Sequence, residues 1–287
     1  MVESSMVGTR KVIPSLGLFH LKKGDRKKMI GQGNTAEIYP WGDHRVVKLF
    51  RGGNHFSSIQ RELAVSREVE FLGLPVPKVY GRAQLRGRTG ILYERITGPA
   101  MTLEMSRHPD QLDSFASTLA QLHHQIHQKE GSRLDSQKED LKREIRKTDR
   151  LPVKTRDAVI RHLERLPEGD RLCHCDFHPD NILMSAEGPV VIDWMIGSRG
   201  APAADIARTA LILRDASLPP GMEFFQPLRT EFRREYLKAY FRLSPLSKEE
   251  IKAWEVPLAA ARLNEKIPED EKARLLSRVE REVETFR

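Results

Sequence analysis

The most chemically loaded stretch of the sequence is His174-Cys175-Asp176-Phe177-His178-Pro179-Asp180-Asn181-Ile182-Leu183, followed a few residues later by Val190-Val191-Ile192-Asp193-Trp194. These residue types at this spacing suit phosphoryl transfer to a hydroxyl. That chemistry needs a carboxylate to orient the hydroxyl and take its proton, and oxygen ligands to hold Mg²⁺ against phosphates. Asp176 and Asn181 stand five positions apart, so one loop can aim the first at an acceptor and the second at a metal. Asp193 falls at the end of the apolar strand that follows, where a second metal carboxylate belongs. Singly, each of these is an ordinary turn or cap residue. Together they form a three-part match that outweighs that reading. Cys173, His174, Cys175 and His178 also invite a zinc site, but six consecutive residues wrap poorly around one tetrahedral ion and Cys-x₂-Cys spacing is absent. Buried cysteines beside a catalytic loop are the expectation.

The first half of the chain offers a second group of residues. Gly31-Gln32-Gly33-Asn34-Thr35-Ala36-Glu37 sits between two predicted strands and reads as a hairpin loop closing over phosphates. Its glycines permit positive φ and close backbone approach. Lys48 then interrupts the apolar run Val46-Val47-Lys48-Leu49, and a buried ammonium needs a carboxylate or a ligand's phosphates beside it. Further on, Ile91-Leu92-Tyr93-Glu94-Arg95-Ile96-Thr97-Gly98 is an apolar strand leaving into a polar linker, able to present backbone N–H and C=O groups to an adenine edge.

The run HCDFHPDNIL…VIDW resembles the catalytic-loop and metal-site motifs of the aminoglycoside phosphotransferase family, relatives of the protein kinases. The likeness extends from the glycine hairpin to the last helices. It implies Asp176 as catalytic base, Asn181 and Asp193 as Mg²⁺ ligands, and His174 as support for the loop. Asp205, in Gly200-Ala201-Pro202-Ala203-Ala204-Asp205, matches the family's buried anchor of that loop. The resemblance also makes Glu62 the partner of Lys48, with Glu68 and Glu70 as nearby alternatives, and puts the adenine hinge at Glu94 to Ile96. Gly31, Gly33, Asn34 and Thr35 would close over the nucleotide. ATP and Mg²⁺ are the implied cofactors, and the implied acceptor is a small-molecule hydroxyl on an aminoglycoside-like antibiotic or a related amino alcohol or sugar. Two departures stand out. Cys175 occupies a position where glycine is usual in the family, so it packs, strains the turn or narrows the acceptor site. Trp194-Met195 replaces the Phe-Gly of a protein kinase, which favours a constitutively arranged small-molecule enzyme over an activation switch.

Elements able to position these residues are legible from periodicity. Residues 1–27 lack a pattern and read as a leader. A strand meander follows over 29–50, turning at Gly42-Asp43, then a helix over 59–72 whose apolar face (Leu63, Val65, Val69, Leu72) is mixed. Strands are predicted over 82–85 and 90–96, and helices over 112–128, 140–147 and 155–166. Short strands over 181–184 and 190–194 precede further helices over 203–214, 222–241, 248–263 and 269–286. The fold class is therefore α+β. A small strand-rich lobe with one helix is expected over 1–96 and a larger helical lobe over 97–287, which the resemblance makes a protein-kinase-like pair with an antiparallel sheet in the first. In Leu119-Ala120-Gln121-Leu122-His123-His124-Gln125-Ile126-His127, His123 reads as a packing residue and His124 as exposed.

Composition narrows the rivals. The chain has 287 residues, 39% hydrophobic and 31% charged, which suits a globular protein with a substantial core. Apolar runs fall well short of the roughly 18 residues of a membrane span, and two cysteines separated by one residue make a disulfide framework unlikely to form, so a cytoplasmic location is expected. The net charge of +8 raises a nucleic-acid reading, and residues 1–60 hold ten Lys/Arg against four Asp/Glu. Phosphates of a nucleotide explain that excess equally well, no aromatic-interleaved or zinc-finger motif accompanies it, and a solvated basic face is a simpler reading than either. A protein kinase is disfavoured by the missing Ala-Pro-Glu motif, and an inactive nucleotide-binding module by the presence of Lys48, Asp176, Asn181 and Asp193. Glu265 lies in a junction over 262–271, broken by Pro268, in which acids dominate. It is the candidate contact for a cationic acceptor, against the alternative that Glu269, Asp270 and Glu271 merely suit a helix N-terminus.

Overall fold

The computed structural model describes residues 19–20, 28–33, 35–51, 56–85, 87–218, 221–222 and 225–284. The expected leader lies outside them, except for the two residues of strand β1 (Phe19–His20), and Asn34 lies outside them as well. The β-branched and aromatic runs of the first half form β2 (Gly31–Gln32), β3 (Ala36–Pro40), β4 (Arg45–Phe50), β5 (Val79–Leu85) and β6 (Arg88–Glu94). They assemble in the order β1-β5-β6-β4-β3-β2, antiparallel throughout except that β1 runs parallel to β5. Side chains alternate across a strand. Val47 therefore packs with Ala83 and Leu92 on one face, while Phe50 packs with Ile59, Leu63 and Ile91 on the other. Lys48 shares the Phe50 face, which looks toward α1 (Phe56–Phe71) and the cleft.

The mixed apolar face of α1 has a physical reason. Ile59 and Leu63 pack into the core of the sheet, whereas Val65 and Val69 belong to the core of the helical lobe. One helix serves two cores.

The second lobe carries α2 (Met101–Arg107), α3 (Leu112–His127), α4 (Gln137–Lys147), α5 (Val153–Arg165), α6 (Pro202–Asp215) and α7 (Gln226–Leu243). It ends with α8 (Lys248–Ala253), α9 (Glu255–Arg262) and α10 (Glu269–Val283). Between α5 and α6 lie β7 (Arg171–Cys173), the hairpin of β8 (Ile182–Ser185) and β9 (Gly188–Val191), and β10 (Ser198–Gly200), which pairs with β7. The two-lobe α+β layout is thus the observed one. No helix among the described residues is long and apolar enough to cross a membrane.

Several boundaries differ from the sequence expectation. Helix α2 was not expected, because Met101 and Met105 alone give one buried repeat, too little periodicity to read. The β7–β10 pair joins two three-residue segments distant in sequence, which leave no local pattern. The helix expected over 248–263 breaks at Trp254. Pro257 cannot donate to the Ala253 carbonyl four residues back, and the His162 ring donates to it instead at 2.8 Å. The strand expected over 190–194 stops at Val191, so Asp193 lies beyond it in a left-handed conformation with φ 63°.

A buried carboxylate joins these elements beneath the cleft. Asp205, on α6, has no exposed surface. Its Oδ1 accepts from the Cys175 amide at 2.8 Å and its Oδ2 from the His174 amide at 2.7 Å. The same Oδ2 lies 3.0 Å from His123 Nε2 and 3.2 Å from His127 Nε2, both carried by α3. Each histidine's Nδ1 meets a tyrosine hydroxyl of α7, Tyr236 and Tyr240, at 2.7 Å. The consistent assignment has each hydroxyl donating to Nδ1 and each Nε2 carrying its proton on the side of the carboxylate. His123, His127 and Asp205 have ligand atoms within 4.8 Å of one another, as a metal site would, but Asp205 and His127 find partners within the protein and only His123 Nε2, close to Asp205 yet off the hydrogen-bond direction, does not. His123 is a buried packing residue, as expected, whereas His124 is half-buried and not exposed.

Burial above all, helped by the neighbouring His127, lowers the pKa of His123 to about 3 from 6.5. The native state then binds fewer protons than the unfolded one, so this group's stabilisation is complete above about 6.5 and is lost as pH falls toward 3. Denaturant unfolding from about pH 7 down to pH 5 is expected to show stability falling by roughly 1 kcal/mol per unit from this group. His123→Asn, which keeps a polar side chain but cannot titrate, should show a correspondingly shallower slope. Parallel slopes in the two proteins would remove His123 as the source.

Candidate active site

A cleft of about 850 Å³ separates the lobes, and most of the sequence-predicted residues line it. From the sheet come Gly31, Gly33, Thr35 and Lys48, from α1 Glu62, and from the strand end and linker Glu94 and Ile96. From the helical lobe come Asp176, Asn181, Asp193 and Glu265. His174 and Asp205 lie fully buried beneath.

The roof is the β2–β3 hairpin, in which Gly31 pairs with Ile38 and the Gly33 amide donates to the Ala36 carbonyl at 2.9 Å. Neither Gly31 nor Gly33 uses the positive φ that glycine permits. A side-chain carbon at Gly33 would meet nothing within 4 Å and one at Gly31 would make an ordinary contact with Ile38 at 3.6 Å, so the packing of the hairpin itself does not demand glycine at either position. Along the linker, the Glu94 amide is already bonded to Lys78 and the Arg95 amide to His44, at 2.9 and 3.0 Å.

Lys48 is the meeting point of the two lobes. Its Nζ lies 2.7 Å from Glu62 Oε1 and 2.8 Å from Asp193 Oδ1. Burial would lower its pKa, but the charges of Glu62 and Asp193 outweigh burial and hold the ammonium protonated. Neither Glu68 nor Glu70 takes that place. Glu68 reaches Arg133 and Glu70 accepts from the Val79 amide. Glu62 is itself oriented by Tyr93, whose hydroxyl donates to Oε1 at 3.1 Å and sits 2.9 Å from Ser66 Oγ.

The floor is the loop after β7. Cys175 has φ 64°, so the residue standing in glycine's usual place does occupy a left-handed turn, at a cost of about 1–2 kcal/mol. Its amide bond to Asp205 holds it there, and its thiol accepts from Gln137 Nε2 at 3.3 Å. Both cysteines are buried and free. The His174 ring bridges the loop to the Asp193 segment, with Nδ1 accepting from the Asp176 amide at 3.2 Å and Nε2 donating to the Ile192 carbonyl at 3.0 Å. Asn181 Nδ2 donates to the Asp176 carbonyl at 2.9 Å, which ties the two ends of the five-residue spacing together. Thr209, on α6, donates to the Phe177 carbonyl at 2.8 Å.

The Asp176 carboxylate, about a third exposed at 34%, faces the cleft. His178 Nε2 lies 3.6 Å from its Oδ2, and Arg208 Nη2 lies 3.5 Å from its Oδ1. Burial raises the pKa of Asp176, but His178 and the Arg208 guanidinium overcome it and hold the group well below the usual carboxylate range. Glu265 is not an isolated carboxylate. Its Oε1 is 2.8 Å from Arg208 Nη1 and its Oε2 is 3.4 Å from Arg262, which also pairs with Glu271. A chain of alternating charges therefore runs from Asp176 through Arg208 and Glu265 to α10.

Sequence reasoning missed Arg208 and Tyr93. Arg208 left a usable signal, because it lies three residues after Asp205 and so on the same helical face, as a cation within an apolar run. Tyr93 left none, since an aromatic residue in a strand is ordinary.

The oxygen donors present suit a hard divalent cation. Asp193 offers a partly open carboxylate, and Asn181, its amide nitrogen tied to Asp176, retains its carbonyl oxygen.

Comparison with solved structures gives the same architecture. The streptomycin–ATP ternary complex of APH(2″)-IIa matches with a TM-score of 0.57 and 17% identity, covering 90% of this chain and 93% of that one. Amicoumacin kinase hAmiN, in complex with AMP-PNP, Ca²⁺ and Ami, matches at 0.60 and 16% over 93% and 90%. A choline/ethanolamine kinase family protein from Mesorhizobium loti matches at 0.60 and 14% over 89% and 87%. At these identities the likeness shows the fold, which is the kinase-like one. No curated protein matches in sequence. The phosphotransferase enzyme family model matches residues 30–256, from the roof of the cleft to beyond the loop that forms its floor, and the chain belongs to that family.

Proposed function

We propose that this chain transfers the γ-phosphoryl group of ATP to a hydroxyl of a small molecule, with Asp176 as general base. The reading rests on one observation above the others. Lys48, paired with Glu62 and Asp193, and the partly exposed carboxylate of Asp176 open into the same cleft from opposite lobes. Lys48 and the hairpin backbone would hold the phosphates, and Glu94 to Ile96 would border the base. Asn181 and Asp193 would hold Mg²⁺, which when bound neutralises phosphate charge. Asp176 orients the acceptor hydroxyl and takes its proton as the oxygen bonds to the γ-phosphorus. The bond from that phosphorus to the bridging oxygen breaks, and ADP leaves with the electron pair. The family and the named neighbours, which include aminoglycoside and amicoumacin complexes, support a small-molecule acceptor. Glu265 would act on an acceptor indirectly, because an amine binding there must compete with Arg208 and Arg262.

Screening ATP consumption over aminoglycosides, amino alcohols and sugars tests the reading. An acceptor that raises ADP formation above hydrolysis is expected, and a panel giving none with folded protein would overturn it.

Asp176→Asn should lower turnover by about 10² to 10⁴ while leaving Mg·AMP-PNP affinity near wild type, as loss of a general base does. Retained turnover would displace Asp176 from that role. Asp193→Asn should instead weaken Mg·AMP-PNP binding along with activity, and calorimetry showing unchanged affinity would move the metal role elsewhere.

Arg208→Met should cut kcat by about 10-fold or more with the KM for ATP unchanged, because the carboxylate loses the cation that orients it. Glu265→Gln should reproduce part of that kcat defect. A variant of Glu265 that changes only the KM for an amine acceptor would return Glu265 to direct contact.

A further inference from the structure

Lys48 can hold Glu62 and Asp193 together only if α1 is fixed against the helical lobe, because Glu62 rides on α1 and Asp193 on the segment after β9. Two independent sets of contacts fix it. Arg61 follows the helix to a face different from that of its neighbour Glu62, since successive residues turn by about 100°. There its guanidinium pairs with Asp140 in the first turn of α4, donates to Ser198 Oγ in β10 at 2.9 Å, and lies 3.6 Å from Asp135. Ser198 Oγ in turn donates to the Ile196 carbonyl at 2.9 Å. The ionic contact is half-buried, with Arg61 and Asp140 side chains 23% and 20% exposed, so solvent screens it less than a surface pair.

One turn further along α1, Val65 sits against Gly197, where any side-chain carbon would lie 2.7 Å from Val65 Cγ1. The absence of a side chain lets the helix settle directly on the residues that follow Asp193. Val65 and Val69 complete the contact by packing into the core of the helical lobe.

We propose that Arg61 is a positioning residue: by docking α1 onto Asp140 and Ser198, it keeps the Lys48–Glu62–Asp193 cluster assembled before any nucleotide binds. Its docking role stands on the geometry alone, and its consequence for ligand rests on the nucleotide reading above. The same contact fastens the segment after Asp193 beneath α1, where a protein-kinase-like switch would need it free to move.

The test is amide hydrogen exchange of the full chain without ligand, combined with calorimetry using Mg·AMP-PNP. Arg61→Met and Asp140→Asn should each speed exchange across α1 by about 3- to 10-fold, while α3 exchanges as in wild type. The double variant should add little to Arg61→Met, which already removes the link to Asp140 along with those to Ser198 and Asp135. Arg61→Lys should recover part of the protection. Mg·AMP-PNP affinity should fall by a similar factor, with the KM for ATP raised and kcat less affected. Unchanged α1 exchange in both single variants would overturn the proposal, as would a rise shared equally by α3, which signals global destabilisation. If α1 exchange responds but wild type itself does not bind Mg·AMP-PNP, the docking role holds and the nucleotide reading fails.

Discussion

A carboxylate sealed from water has to be surrounded by donors, and Asp205 imposes that requirement on much of the helical lobe. Leaving such a charge unpaired would cost several kcal/mol. The donors come from the loop ahead of Asp176 and from two histidines of α3, which are in turn set by two tyrosines of α7. Three helices and one loop therefore have a single mutually consistent arrangement. The loop that carries Asp176 is fixed from below by a group that never meets the cleft.

Lys48 is the complementary case. It too is buried and paired, but its partners come from different lobes and one of them, Asp193, remains 38% exposed to the cleft. A charge cluster that opens to solvent can exchange partners with an incoming anion or cation. One centred on Asp205 cannot. This difference separates the residues that hold the site from those able to work in it. Asp176 stands between the two kinds, its backbone fixed through His174 and Asn181 while its carboxylate is open and flanked by Arg208 and His178.

Backbone strain is concentrated at the same place. Among the described residues, the non-glycine residues with positive φ are Cys175, next to Asp176, and Asp193 itself. Such conformations persist where surrounding contacts over-determine them. At Cys175 the determining contact is the amide bond to Asp205. At Asp193 it is the salt bridge to Lys48, reinforced by the Ile192 amide bonding to the Asn181 carbonyl at 2.9 Å. The cavity-side geometry thus depends on the buried anchor twice, through the loop directly and through the His174 ring that spans both segments.

Sequence by itself determined what local spacing and periodicity can carry. The β2–β6 strands, most helices, the Asp176–Asn181 spacing and the buried cation at Lys48 were legible because each is written within a few residues. Cys175 was recognisable as a residue in a glycine position, and its φ of 64° is the physical content of that remark. Helix α2 and the β7–β10 pair were not legible, since one is too short a repeat and the other needs a distant partner, whereas the break at Trp254 follows from Pro257 and was open to a local reading. The pairings were decided only by tertiary structure. Lys48 meets Asp193 across 145 positions, Arg61 meets Ser198 across 137, and Arg208 meets Glu265 across 57. A sequence names the charges available but not which of them share a low-dielectric space. That choice was made by the packing of α1 and α6 against the loop, and it turned Glu265 from an open carboxylate into a partner of two arginines.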